Sequence, residues 1–65
     1  MIRGAANKQK FYIGSEVQKI SDSSKIGTIV EIDCYHGGVW YYVVNFGGGE
    51  RTKVPETDLI DERQL

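Results

Sequence analysis

Cys34 and His36 stand two residues apart beside a pair of glycines, and in an extended chain that spacing turns both side chains to one face. A thiol and an imidazole begin a nucleophilic pair, but the pair works only when a third group orients the base. No such group is supplied, so the two read as a buried thiol and a turn histidine. A zinc site wants three or four Cys, His or carboxylate ligands, and one Cys with one His falls short. Gly47-Gly48-Gly49 lacks the downstream Gly-Lys-Ser/Thr of a phosphate cradle. These residues predict no catalytic group, metal or cofactor, and any ATPase activity would have to lie in residues outside them.

Binding chemistry is better supplied. Tyr12, Tyr35 and Tyr41 fall outside the expected core, and Trp40 sits next to the His36-Gly37-Gly38 turn. Aromatic faces stack nucleic-acid bases, cage cations or line peptide grooves. Arg51 and Lys53, on the outward side of a fourth strand, would neutralise phosphates beside Tyr41 if the third and fourth strands pair. Glu31 and Asp33, outward on the neighbouring strand, oppose a polyanion there. The expected partner is therefore DNA, bound weakly, or a protein, through Tyr41, Arg51, Lys53, Tyr12, Tyr35 and Trp40.

What must position these groups is a small β-sheet. Sixty-five residues make one domain near the lower size limit for folding without staples, and one cysteine allows no internal disulfide. A hydrophobic content of 40% argues against disorder, and no apolar run approaches a membrane span or a secretory signal. With a net charge of −1 there is no global cationic field. Arg3, Lys8 and Lys10 nevertheless make a basic head, and Glu56, Asp58, Asp61 and Glu62 against Arg63 an acidic tail. A cytoplasmic monomer is expected, with neither membrane nor small-molecule substrate.

The stretch 27–46, GTIVEIDCYHGGVWYYVVNF, is two β-branched and aromatic runs joined by Tyr-His-Gly-Gly. Alternation places Thr28, Val30, Ile32 and Cys34 on one face, to pair with Trp40, Tyr42, Val44 and Phe46. The expected pairings are 28–34 with 39–46 and 41–46 with 50–54. Earlier, Phe11-Tyr12-Ile13 is interrupted by Gly14-Ser15 and resumes as Glu16–Ile20, where period two from Val17 to Lys19 followed by an apolar Ile20 predicts a strand carrying an irregularity such as a bulge. Ser21–Ser24 is a polar loop, and Gly27 inside a strand marks a bend, a bulge or a close backbone approach. Beyond the glycine turn, Arg51–Val54 alternates, Pro55 ends the strand, one 3₁₀ turn drops Leu59 inward, and Ile60-Asp61 adds a last short strand. The predicted core is Phe11, Val17, Ile20, Ile29 or Val30, Ile32, Tyr42, Val44, Phe46, Val54 and Leu59. The domain is bounded at 11–61, between a disordered leader (1–10) and a frayed end or linker (62–65). The fold class is all-β, about five short antiparallel strands in a partly open barrel, with an open meander as the alternative.

Phe11-x-x-Gly14-Ser15-x-Val17, Gly27-Thr28-Ile29-Val30-x-Ile32, Tyr42-x-Val44-x-Phe46, and then Val54 and Leu59 together resemble the SH3-like barrels of the Tudor and KOW type. The likeness spans residues 11–60. It is most similar in feel to accessory modules of bacterial helicases and related translocating ATPases. The resemblance implies a non-catalytic accessory module of such an enzyme, contacting nucleic acid weakly. The alternative it allows is a docking module for a peptide or an RNA polymerase-type partner. The basic KOW loop is missing, and Asp22 stands in the loop where a nucleic-acid reader would gain from Lys or Arg.

Overall fold

The computed structural model describes residues 9–64. Five strands form one antiparallel sheet: β1 (Glu16–Lys19), β2 (Ile26–His36), β3 (Val39–Asn45), β4 (Arg51–Pro55) and β5 (Leu59–Asp61). Their order across the sheet is β4-β3-β2-β1-β5. The sheet is open, with β4 and β5 as its edges, and is compatible with an SH3-like fold. Among the described residues the helical elements are two single 3₁₀ turns, Glu56–Asp58 and Glu62–Gln64. Among the described residues no helix is long and apolar enough to cross a membrane.

Both expected pairings are present, β2 with β3 and β3 with β4. The β2–β3 reversal has two central residues, Gly37 and Gly38, with φ of 61° and 82°. Positive φ at both positions gives the turn a twist that matches the strands it joins. The Gly14-Ser15 irregularity is a bulge: the Gly14 N–H donates to the Ile29 carbonyl (2.8 Å), and the Ile29 N–H donates to the Ser15 carbonyl (2.9 Å). Two residues thus face one, with Gly14 at φ 98°. Gly27 is where two strands come close. A Cβ built there meets the Asn45 carbonyl oxygen far inside van der Waals contact, with Phe46 Cδ1 at 3.0 Å.

The core is Phe11, Val17, Ile29, Tyr42, Val44, Val54 and Leu59, with Ile32, Trp40 and Phe46 packed against it. Three expectations are corrected. Ile29, not Val30, is the buried member of that pair, and Cys34 is exposed. The cause is two register shifts: Ile29 faces Val44 but Glu31 faces Val43, and Ile32 faces Tyr42 but Cys34 faces Tyr41. Val30 and Asp33 are the extra residues, and each reverses the alternation. Ile29, Ile32 and Tyr35, every third residue, therefore oppose Val44, Tyr42 and Trp40 on the core side. Ile20 is exposed as well. Val17 points inward, so strict alternation sends Gln18 and Ile20 outward, and strand parity outweighs the apolar character of the side chain.

Two earlier segments, Lys10–Phe11 and Ser21, are tied to the first 3₁₀ turn. The Tyr42 hydroxyl, on a fully buried ring, donates to Glu56 Oε2 (2.6 Å) and accepts from the Phe11 N–H (3.3 Å). The Lys10 N–H donates to the same Glu56 oxygen (2.8 Å). Burial, and then the bond to Glu56, push the Tyr42 phenol from 10.0 up to about 12. Phe11 packs edge-on against Tyr42, with ring centroids 5.6 Å apart. Two residues further on, Asp58 accepts from the Ser21 N–H (2.9 Å) and hydroxyl (2.8 Å). Of the expected leader, residues 1–8 lie outside the described residues, while Gln9 and Lys10 are hydrogen-bonded.

Candidate interaction site

The outward face of β2, β3 and β4 gathers three of the predicted binding residues with their acidic neighbours. Tyr41 lies between Cys34 and Pro55, Lys53 lies beside Val43, and Arg51 beside Asn45. Lys53 Nζ is 5.8 Å from the centroid of the Tyr41 ring, within cation–π range. The same ammonium is 3.3 Å from Asp33 Oδ2. Such an exposed pair contributes little to stability, but it does cancel the charge that a phosphate would meet. Arg51 is exposed and makes no ion pair among the described residues. With Glu31 and Asp33 against Arg51 and Lys53, the patch carries no net charge.

Asp33 reaches Lys53 because it is the second bulged residue of β2. Hydrogen bonding to the Cys34 thiol, and then to Lys53, holds the Asp33 carboxyl below its ordinary value. The same contact with Asp33 pushes the Cys34 thiol up. A carboxylate beside it works against the thiolate that nucleophilic or metal chemistry needs. From Cys34↔Tyr41 to His36↔Val39 the register is regular, so Cys34 and His36 do share a face. Among the described residues no three His, Cys, Asp or Glu side chains are grouped to hold a metal ion.

Tyr35 and Trp40 lie on the opposite, core-facing side of the same hairpin. They are direct cross-strand partners, with ring centroids 5.1 Å apart and planes tilted by 54°. Pairing to β4 stops at Tyr41↔Pro55 and pairing to β1 at Glu16↔Thr28, so this end of the hairpin is a two-stranded ribbon. A bare ribbon is marginal in water, and a cross-strand aromatic pair adds ~0.2–1 kcal/mol. Trp40 rests on the core and Tyr35 remains 40% exposed, so the pair presents an anchored aromatic surface.

Tyr12 is elsewhere. It opens the turn closed by the Ser15 N–H to the Tyr12 carbonyl (2.9 Å) and is 55% exposed. The six predicted residues thus divide into an outer patch (Tyr41, Lys53, Arg51), a ribbon pair (Tyr35, Trp40) and a separate Tyr12. Alternation alone missed Asp33 as the partner of Lys53 and Glu56 as the acceptor for Tyr42. Each depends on an irregular segment, a bulge in one case and a 3₁₀ turn in the other. No protein-family model, curated protein or solved structure matches the chain.

Proposed function

We propose that the chain is a non-catalytic SH3-like interaction module of the Tudor type, and that it docks a protein segment through the Tyr35–Trp40 ribbon. The observation that carries this reading is the exposed Tyr35 ring set on a Trp40 anchored to the core. Rigid, amphipathic aromatics of this kind supply contact area at low entropic cost. Weak nucleic-acid contact is the lesser reading. It rests on Arg51, since Lys53 is already engaged by Asp33. The setting we propose, from the resemblance over residues 11–60, is an accessory module of a DNA helicase or related translocating ATPase. There a weak contact gains effective concentration once the parent enzyme is engaged.

The test is a chemical-shift titration of the whole labelled chain with a proline-rich decapeptide and with a short single-stranded DNA, at low and at physiological salt. Extended proline-rich segments are ligands that aromatic faces bind. The expected result is peptide-induced shifts at Tyr35 and Trp40 that survive added salt and are lost in Tyr35→Ser. DNA-induced shifts at Tyr41, Arg51 and Lys53 that collapse with salt, with no peptide response, would transfer the surface to nucleic acid.

A further inference from the structure

A second surface shares no residue with the ribbon. The turn Tyr12–Ser15 and the second 3₁₀ turn bound an open groove of about 520 Å³, lined by Ile13, Ser15, Glu16, Asp61, Glu62 and Arg63. We propose that this groove docks an extended cationic segment of another protein, one that sets a lysine or arginine beside an apolar side chain.

Charge and shape both point to that partner. The groove holds three carboxylates against one guanidinium, and that guanidinium is already taken. Arg63 lies along Asp61, Nε to Oδ1 at 3.3 Å and Nη2 to Oδ2 at 3.1 Å. Glu16 and Glu62 make no ion pair among the described residues; Glu16 Oε2 accepts the Thr28 hydroxyl, at 3.1 Å. The β1–β5 pairing ends at Val17↔Asp61, and the next residue on each side, Glu16 and Glu62, lines the groove. Like charges lining one groove repel each other, and a cation bound among them relieves that cost. Arg63 on Asp61 displays, within the chain, the forked contact that an incoming arginine would make. Beside the acids, Ile13 is 66% exposed at the tip of a turn tied down by the Gly14–Ile29 bond. An apolar side chain of the partner covers it, while the Lys or Arg reaches Glu16 and Glu62.

The experiment titrates the labelled full chain with a blocked hexapeptide alternating Lys and Leu. Controls are a peptide with Glu in place of each Lys, and spermine. The expected result is saturable shifts confined to 13–16 and 61–63 with the Lys-Leu peptide. Glu16→Gln with Glu62→Gln should weaken binding about fivefold to tenfold, and Ile13→Ser about tenfold. These side chains are solvent-facing, so the dispersed spectrum of each variant confirms folding before binding is read. Equal binding of the Glu peptide overturns the proposal, as does spermine matching the Lys-Leu peptide, which would leave only counter-ion attraction. Shifts at 13–16 that grow with protein concentration alone would give the groove to a second copy and overturn it too.

Discussion

Tyr42→Phe isolates one hydroxyl at the point where three segments meet. The phenyl ring keeps its packing against Phe11, so no cavity term enters. What goes is the 2.6 Å bond to a carboxylate and the acceptor for the buried Phe11 N–H. A hydrogen bond to a charged group contributes ~1.5–3 kcal/mol, and an unpaired buried donor costs a comparable amount. The Phe11 bond is long, at 3.3 Å, so its share is the smaller. A loss of about 2–3 kcal/mol follows. Burial first, and then the bond to Glu56, raise the phenol from 10.0 to about 12, so its proton is held more tightly in the folded chain. Because the folded value is raised, this stability is complete below pH 10 and is lost as pH climbs toward 12. The assay is urea unfolding of both proteins, followed by Trp40 fluorescence, at intervals from neutral to alkaline pH. The midpoint should fall by about 2 M, taking a slope near 1 kcal/mol/M for so small a domain. The gap between the two proteins should close above pH 10. A gap under about 0.5 M at neutral pH, or one that persists unchanged to high pH, would refute the reasoning.

Two further outcomes follow from the backbone and from the second bulge. Gly27→Ala drives a methyl group into the Asn45 carbonyl, so β2 and β3 must separate where they are closest. It should cost about 1–3 kcal/mol or more, and a melting temperature within a degree of the parent would show that the strands yield freely. Cys34 is exposed, yet Asp33 raises its thiol, so it should react slowly with a disulfide reagent at mildly alkaline pH. Asp33→Asn should speed that reaction, and an unchanged rate would remove Asp33 as the cause.

Strand positions were legible because alternation and paired glycines are local signals. Gly37-Gly38 marked the hairpin, Gly14-Ser15 the interruption before β1, and Gly27 a bend, a bulge or a close approach, of which the structure shows the last. The bulges at Val30 and Asp33 left no such mark. Neither site carries a glycine, and an extra residue there is set by how a long strand bends over its neighbour. Between the bulges Glu31 and Ile32 keep the expected faces, while the residues on either side are reversed: Ile29 turns inward before Val30, and after Asp33 Cys34 moves out and Tyr35 to the core side. The outer patch survived because Tyr41, Arg51 and Lys53 sit on β3 and β4, which pair without a shift. The Tyr42 hydroxyl bond was invisible for a different reason. Its acceptor follows Pro55 in a 3₁₀ turn, and no periodicity in the sequence aims that carboxylate at a residue on β3.

The 3₁₀ turn Glu56–Asp58 also bears on the order in which the chain can fold. Glu56 holds a backbone group 46 residues earlier, and Asp58 one that is 37 residues earlier. Such long loops are entropically expensive to close before the contacts that reward them exist. The β2–β3 hairpin, joined by two residues, can form long before either clasp. A chain emerging from the ribosome would have its central ribbon assembled while β1 and the Lys10–Phe11 segment still waited for residues 56–58. Contacts that form so late stabilise the native state more than the transition state, so they act mainly by slowing unfolding. In this domain the short turn near the end works as a lock that sets how long the folded state lasts.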